Sequence, residues 1–195
     1  MTSMPKVVDI DERRHELAAA AAQLIARDGV GAATMRGVAA EAGWTTGALT
    51  HYFADKRELL LFTFCDSLAR RHAARDARET IAPLDALVRS LEGALPVDEE
   101  RRRHWMVTIA FCAQAAGDDE LSTAQRDAYR AFRAHIAGLV DAAGIANGAA
   151  AEARAEQLIA VADGIALQAL FAPGDWPQRR QLTRLRQTIN PLIAH

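Results

Sequence analysis

Between Gly43 and Asp55 the chain reads GWTTGALTHYFAD, a stretch that starts on a helix terminator and ends on a helix cap. Only about two helical turns fit between them, from Thr46 to Phe53. Helical spacing puts Leu49 and Phe53 on one stripe, where they can close against Val38 and Leu24. The residues left over are Thr45, Thr46, Gly47, Ala48, Thr50, His51 and Tyr52, all small or ending in a hydrogen-bonding tip. A short helix that is apolar on one side and slim and polar on the other suits the reading element of a helix-turn-helix, which must approach base edges in a major groove.

The elements on either side support that placement. A first helix begins in DERRHELAAAAAQLIARDG, with Asp11 as N-cap and Leu17, Ala20, Ala21, Leu24 and Ile25 on one face; Gly29 and Gly31 end it. Thr34 caps a short second helix, MRGVAAEAG, which Gly43 terminates. Asp55 caps a long fourth helix, KRELLLFTFCDSLARRHAARDARET. Later helices are expected over 83–95, 98–116, 118–143, 150–172 and 177–193. Strand-like alternation and internal repeats are absent, so the fold class is all-α, with about nine helices. The expected organisation is a flexible lead over 1–10, a three-helix DNA-binding domain over 11–56 with its motif at 34–53, and a second helical domain over 57–195.

Other function classes find little support. No uncharged apolar run is long enough to span a membrane, and the first residues lack the pattern of a signal peptide, which predicts a cytoplasmic protein. Cys65 and Cys112 sit in apolar surroundings without metal-site spacing and are expected to be buried thiols. Motifs such as HExxH, a P-loop, GxSxG or a zinc-finger spacing do not occur, so no catalytic residue, metal or cofactor is expected. The net charge is −2, and acids balance bases across residues 1–80. Any DNA binding must therefore come from the placement of groups, because bulk charge will not supply it.

Helix-end physics nominates the positioning contacts. Thr34 and Thr46 lie at helix N-termini, where free N–H groups favour a phosphate. Tyr52 offers a hydroxyl, Lys56 opens the fourth helix, and Arg36 lies in the first turn of the second. Each residue also has an ordinary reading: Thr34 and Asp55 as caps, His51 as a surface histidine, Tyr52 and Phe53 as core. A helical interaction module without DNA binding is a further alternative, but Lys and Glu would serve its exposed third helix better than Thr, Gly and Ala.

The runs TMRGVAAEAG and TTGALTHYFADKREL resemble the N-terminal domain of the TetR family of bacterial transcriptional repressors. The Thr-x-Arg opening, the Ala-x-x-x-Gly turn, the Gly47-x-Leu49 pair and the His-Tyr-Phe-x-x-Lys close stand in family register, densest from Thr34 to Leu60. The MPKV and RR leading the first helix resemble the betaine-inhibitor branch. The resemblance implies a homodimer that binds a palindromic double-stranded DNA operator, with a C-terminal domain for dimerisation and a small-molecule effector. By position it assigns Thr34, Arg36, Tyr52 and Lys56 to phosphates and Thr45, Thr46, Gly47, Ala48 and His51 to the operator. Trp44 and Thr50 depart from the pattern; Trp44 could offer its indole N–H to a phosphate, and Thr50 forgoes an aromatic contact.

Beyond residue 75 the resemblance is one of architecture. LLLFTFC is apolar nearly all round, which means burial on more than one side and a coupling role for the fourth helix. In RRRHWMVTIAFCAQAAG, Trp105, Ile109 and Cys112 form a stripe with Thr108 beside it; Phe64, Leu68, Tyr129, Phe132 and His135 are candidates to converge there as an effector pocket. A packed core would show the same pattern. Arg101 to Arg103 read as a solvated helix start. On the last two helices Leu158, Ala162, Ile165, Ala166, Ala169, Leu170, Leu182, Leu185 and Ile189 suit either a four-helix dimer interface or packing within the chain.

Overall fold

The computed structural model describes residues 9–76 and 81–193. Most of the expected N-terminal lead and the last residues of the expected fourth helix, 77–80, lie outside the described residues. Those described form nine α-helices and no strand: α1 (Ile10–Asp28), α2 (Met35–Glu41), α3 (Thr46–Leu49), α4 (Lys56–Asp76), α5 (Pro83–Gly93), α6 (Glu99–Ala115), α7 (Asp119–Ala142), α8 (Gly148–Phe171) and α9 (Gln178–Ile193). A single 3₁₀ turn, Val30–Ala32, follows α1 where the sequence suggested only a terminator.

Two ends differ from expectation. Asp9, and not Asp11, caps α1: its Oδ1 accepts from the N–H groups of Asp11 at 3.0 Å and Glu12 at 3.4 Å. The α-helical part of α3 is four residues long. The winding beyond it tightens into turns, with Tyr52 N–H and Phe53 N–H both donating to the Leu49 carbonyl. A chain that must bury Phe53 and still reach the α4 cap, Asp55, two residues later has no room for another full α-turn.

Three cores hold the chain together. Leu17, Leu24, Val38, Leu49, Phe53 and Leu59 form the first, joining α1 to α4 around the helix-turn-helix. Ile25 and Ala33 pack with Leu60, Phe64, Val107, Phe111 and Leu121 in the second. The third joins α5, α7, α8 and α9. Successive residues Leu59 and Leu60 thus point into different cores, which is how α4 comes to serve both halves of the molecule. Phe64 and Phe111 stack at 4.1 Å, cementing α4 to α6.

The apolar stripe of α8 and α9 belongs to the third core. Leu158, Ala162, Ala166, Leu185 and Ile189 are fully buried within the chain, Ala169, Leu170 and Ile165 retain at most 7% of their surface, and Leu182 packs half-buried on the same core. Of the two readings the pattern allowed, packing within the chain accounts for most of these side chains as they stand here. Both cysteines are exposed, again against expectation. The apolar run of each helix extends further round than its packing does, and Cys65 and Cys112 fall on the outward side; enough neighbouring atoms remain to push both thiol pKa values up by desolvation.

Candidate functional site

The N-terminal unit is built by caps and close packing. Thr34 Oγ1 accepts from Gly37 N–H at 3.0 Å and Thr45 Oγ1 from Ala48 N–H at 3.1 Å, so Thr45 rather than Thr46 caps α3. A Cβ on Gly37 would lie 2.5 Å from the Ala32 carbonyl oxygen, so only glycine lets α2 seat this close to the preceding turn. Gly43 takes a positive φ of 73°, turning the chain toward α3. At the start of α4, Asp55 Oδ1 accepts from Glu58 N–H and Glu58 Oε2 accepts from Ala54 N–H, both at 2.8 Å, a reciprocal cap.

These devices leave Thr34, Arg36, Thr45, Thr46, Gly47, Thr50 and His51 exposed, with Ala48, Tyr52 and Lys56 half-buried beside them. Thr50 is turned inward to its own helix, donating from Oγ1 to the Gly47 carbonyl at 2.8 Å. Trp44 packs edge-on against Tyr52 with ring centroids 5.4 Å apart, and the Arg13 guanidinium lies 5.6 Å over the indole. Among the described residues, neither Arg36 nor Lys56 is held in an ion pair. The face is therefore small and polar, with Thr34, Thr45 and Thr50 bonded to nearby backbone and its two cations outside those ion pairs. Leu49 and Phe53 lie fully buried beneath it.

The second site is a cavity of about 800 Å³ walled by α1, α4, α5, α6, α7 and one residue of α8. Of the residues named from sequence, Phe64, Leu68, Trp105, Thr108, Tyr129, Phe132 and His135 line it. Ile109 and Cys112 do not. Thr108 is the last residue of α6 on the wall; Ile109 is turned off the stripe, and Cys112 lies a turn further along, at the surface. The Arg101 to Arg103 run is half-buried and engaged: Arg101 pairs with Asp98 and donates to the Glu92 carbonyl, and Arg102 donates to the Leu170 carbonyl. Arg101 and Arg102 staple the start of α6 to its neighbours, so the run is not the fully solvated start that was expected.

The wall is mostly hydrogen-bonded within itself. Ser67 Oγ meets His104 Nδ1 at 2.6 Å, Ser90 Oγ meets His135 Nε2 at 3.1 Å, and Trp105 Nε1 donates to the Ala94 carbonyl at 2.7 Å. Tyr129 donates its hydroxyl to Asp163 Oδ2 at 2.9 Å. Burial pushes both of these pKa values up, that of Tyr129 with a further contribution from the adjacent carboxylate. Asp163, His104, Ser67 and Gln125 were missed from sequence. Asp163 had a signal, as the one acid inside the apolar run LIAVADGIALQAL.

Residues 17–61 match the family described as bacterial regulatory proteins, tetR family, and residues 83–194 match the BetI-type transcriptional repressor C-terminal family. The chain belongs to the TetR family. It is thus a transcriptional regulator of that family, whose fold carries an N-terminal helix-turn-helix and a C-terminal helical domain. It is 32% identical to the HTH-type transcriptional regulator PksA of Bacillus subtilis over 177 residues, 87% of this chain and 84% of that one. With the regulator BetI of Burkholderia ambifaria it shares 30% identity over 194 residues, 98% of this chain and 99% of the other. Among solved structures, a transcriptional regulator from Rhodococcus sp. superposes with a TM-score of 0.84 at 30% identity, covering 92% of this chain and 95% of that one. A regulator from Saccharomonospora viridis in complex with choline has the same fold, with a TM-score of 0.83 at 22% identity over 92% and 96% of the two chains. No helix among the described residues is long and apolar enough to cross a membrane.

Proposed function

We propose that this TetR-family regulator is a homodimeric repressor that binds a palindromic operator and releases it when a small organic effector fills the cavity. Residues 11–56 are the DNA-binding unit and 57–195 the effector-binding and dimerisation unit, in the cytoplasm where its DNA is. The observation that carries this reading is that α4 belongs to both sites: it starts at Lys56, beside the exposed polar face of α3, and carries Phe64, Ser67 and Leu68 on the cavity wall. An occupant pressing on α4 between it and α7 shifts the set of the recognition unit, to the extent that its affinity differs between the two conformers.

In this reading Thr34, Arg36, Tyr52 and Lys56 hold phosphates, and Thr45, Thr46, Gly47, Ala48 and His51 face the bases. Trp44 acts by supporting Tyr52 and Arg13. Half-sites roughly 34–36 Å apart require two copies. The outward face of α8 suits that pairing: Ala153, Gln157, Ala160, Gly164, Leu167 and Phe171 recur at alternating spacings of four and three, and Phe171 is 75% exposed.

Selection from a random duplex pool with the purified protein tests the reading. An inverted repeat is the expected product. Recovery of nothing above background at low salt, from protein verified as a dimer, would overturn it.

A further inference from the structure

Arg13 and Arg14 are neighbours near the start of α1 and have different surroundings. The Arg14 guanidinium lies over the rings of Phe53 at 4.6 Å and Phe62 at 4.7 Å and pairs with Glu58 at 2.8 Å, so it belongs to the packing beneath the recognition unit. Arg13 serves none of that. Its guanidinium lies 5.6 Å over the ring of Trp44, in the turn that leads into α3. Trp44 in turn meets Tyr52 at 5.4 Å and 72°, so the cation of α1 and the phenol that follows α3 both rest on one indole. The hydrogen bond and charge of Glu16 raise the Arg13 pKa most, Glu12 less and Tyr52 least, which puts the phenol within electrostatic reach of the guanidinium.

Hydrogen bonding uses little of Arg13. Nη1 donates to Glu16 Oε2 at 2.6 Å, an i,i+3 pair with 37% and 45% of the two side chains exposed. Exposed pairs of that kind add little to stability, so a second anion has little to displace. A guanidinium has five N–H groups, and among the described residues no acceptor takes the other four. Holding so long a side chain in one place costs rotamer freedom, and the aromatic face under it offsets that cost. A fixed cation with open donors, beside a phenol assigned to a phosphate, fits an anion that carries several acceptor oxygens. The same helix start exposes Asp9, Asp11 and Glu12, so a backbone phosphate needs a cation there to come close.

We propose that Arg13 and Tyr52 hold one backbone phosphate between them, and that Trp44 positions Arg13 for it. The inference rests on the operator-binding reading and adds a third cation to the two, Arg36 and Lys56, already given to phosphates. It also gives a use to Trp44, which departs from the family pattern at this turn.

Salt titration and neutral-phosphate substitution test this on the full-length protein, with the duplex recovered by selection. Arg13→Gln should reduce the slope of log K against log salt by about 0.9, so that the wild-type advantage shrinks roughly threefold from about 50 to 200 mM salt. Its melting temperature should stay that of wild type, because the side chain is partly exposed and its one ion pair lies at the surface. Tyr52→Phe should lower affinity with the slope unchanged, since it removes a neutral donor. When single phosphates of each half-site are replaced by methylphosphonate, one position should weaken the wild-type protein and leave both variants nearly unaffected. Trp44→Leu should shrink the effect of Arg13→Gln on the slope, and Trp44→Phe, which keeps an aromatic face, should restore it. An unchanged slope for Arg13→Gln would overturn the contact and leave Arg13 as the surface counter-charge of Glu16. Methylphosphonate positions that differ between the two variants would overturn the shared phosphate. A slope change from Arg13→Gln that is equal in the wild-type and Trp44→Leu backgrounds would overturn the positioning role of Trp44. Failure of the wild-type protein to bind any duplex above background at low salt would overturn the operator-binding reading and this contact with it.

Discussion

Arg57 closes on Asp118 with two hydrogen bonds, Nε to Oδ2 at 2.5 Å and Nη2 to Oδ1 at 3.2 Å. Arg57 follows Lys56 at the start of α4, and Asp118 is the N-cap of α7, whose side chain also accepts from the backbone of Glu120 and Leu121. With a second ion pair from Arg57 Nη2 to Glu120 Oε2 at 2.5 Å, Arg57 clamps the helix that opens beside the recognition unit to the helix that carries Gln125, Tyr129, Phe132 and His135 on the cavity wall. Because the Arg57 hydrogen bond holds the Asp118 carboxyl below its ordinary pKa, with the Leu121 N–H adding to it, the contribution has a defined sign. It is present above the unfolded value of 3.8 and is lost as the pH falls through the lower folded value. Asp118→Asn keeps the cap oxygen and loses the charge. It should melt below wild type at neutral pH, and the difference should vanish in acid. A difference that persisted unchanged in strong acid would show that the charge is not what holds α7 to α4.

Asp163 should behave in the opposite sense. Its folded pKa is raised by burial, so its ionised form is disfavoured in the native state at neutral pH. Asp163→Asn should therefore raise the melting temperature at pH 7, and the gain should shrink as the pH falls through the raised folded value and be gone below the unfolded value of 3.8, where both states hold the proton. Thermal melts across that range decide the matter; a variant that melts below wild type at pH 7 would refute the sign.

Gly37 has a neighbour and not a turn to explain it. An alanine there would meet the Ala32 carbonyl oxygen at 2.5 Å, with Thr34 Oγ1 at 3.1 Å and Leu24 Cδ2 at 3.2 Å. Backbone must move to admit it. Gly37→Ala should cost roughly 1–3 kcal/mol of stability by denaturant titration, and DNA affinity should drop more than the folded fraction does, because α2 sets the position of α3.

Lys56→Ala should weaken binding to every duplex by a similar factor and reduce the slope of log K against log salt by about one. His51→Ala should instead change which operator is preferred. Salt titrations on two unrelated duplexes separate these behaviours, and an unchanged slope for Lys56→Ala would remove it from the phosphate contacts.

Leu167 is 46% exposed and Phe171 75% on the outward face of α8. Leu167→Arg with Phe171→Asp should give a folded monomer by analytical ultracentrifugation and lose binding to a full palindrome while retaining weak half-site binding. The same pair of changes made at the fully buried Leu158 or Leu185 should unfold the chain. A double variant at 167 and 171 that stayed dimeric would place the interface on another face.

What the sequence determined by itself is local. Caps such as Thr34 and Asp55, terminators such as Gly43, and the period of apolar residues decide where helices begin, end and turn their apolar sides, because each acts through neighbours within a turn or two. The same signals placed Leu49 and Phe53 under a slim polar face, and the two-sided apolar character of α4 followed from LLLFTFC alone. The tertiary structure decided which apolar faces meet. Leu158, Ala162, Leu185 and Ile189 have the pattern of an interface, yet α5 and α7 arrive to cover them within the chain. The wall of the cavity on α6 ends at Thr108, so Cys112 reaches the surface, and Asp163 becomes a neighbour of Tyr129 only when α7 and α8 pack. A periodic stripe says that a helix has something to bury; what buries it is a contact between residues far apart in sequence, and no local rule carries that information.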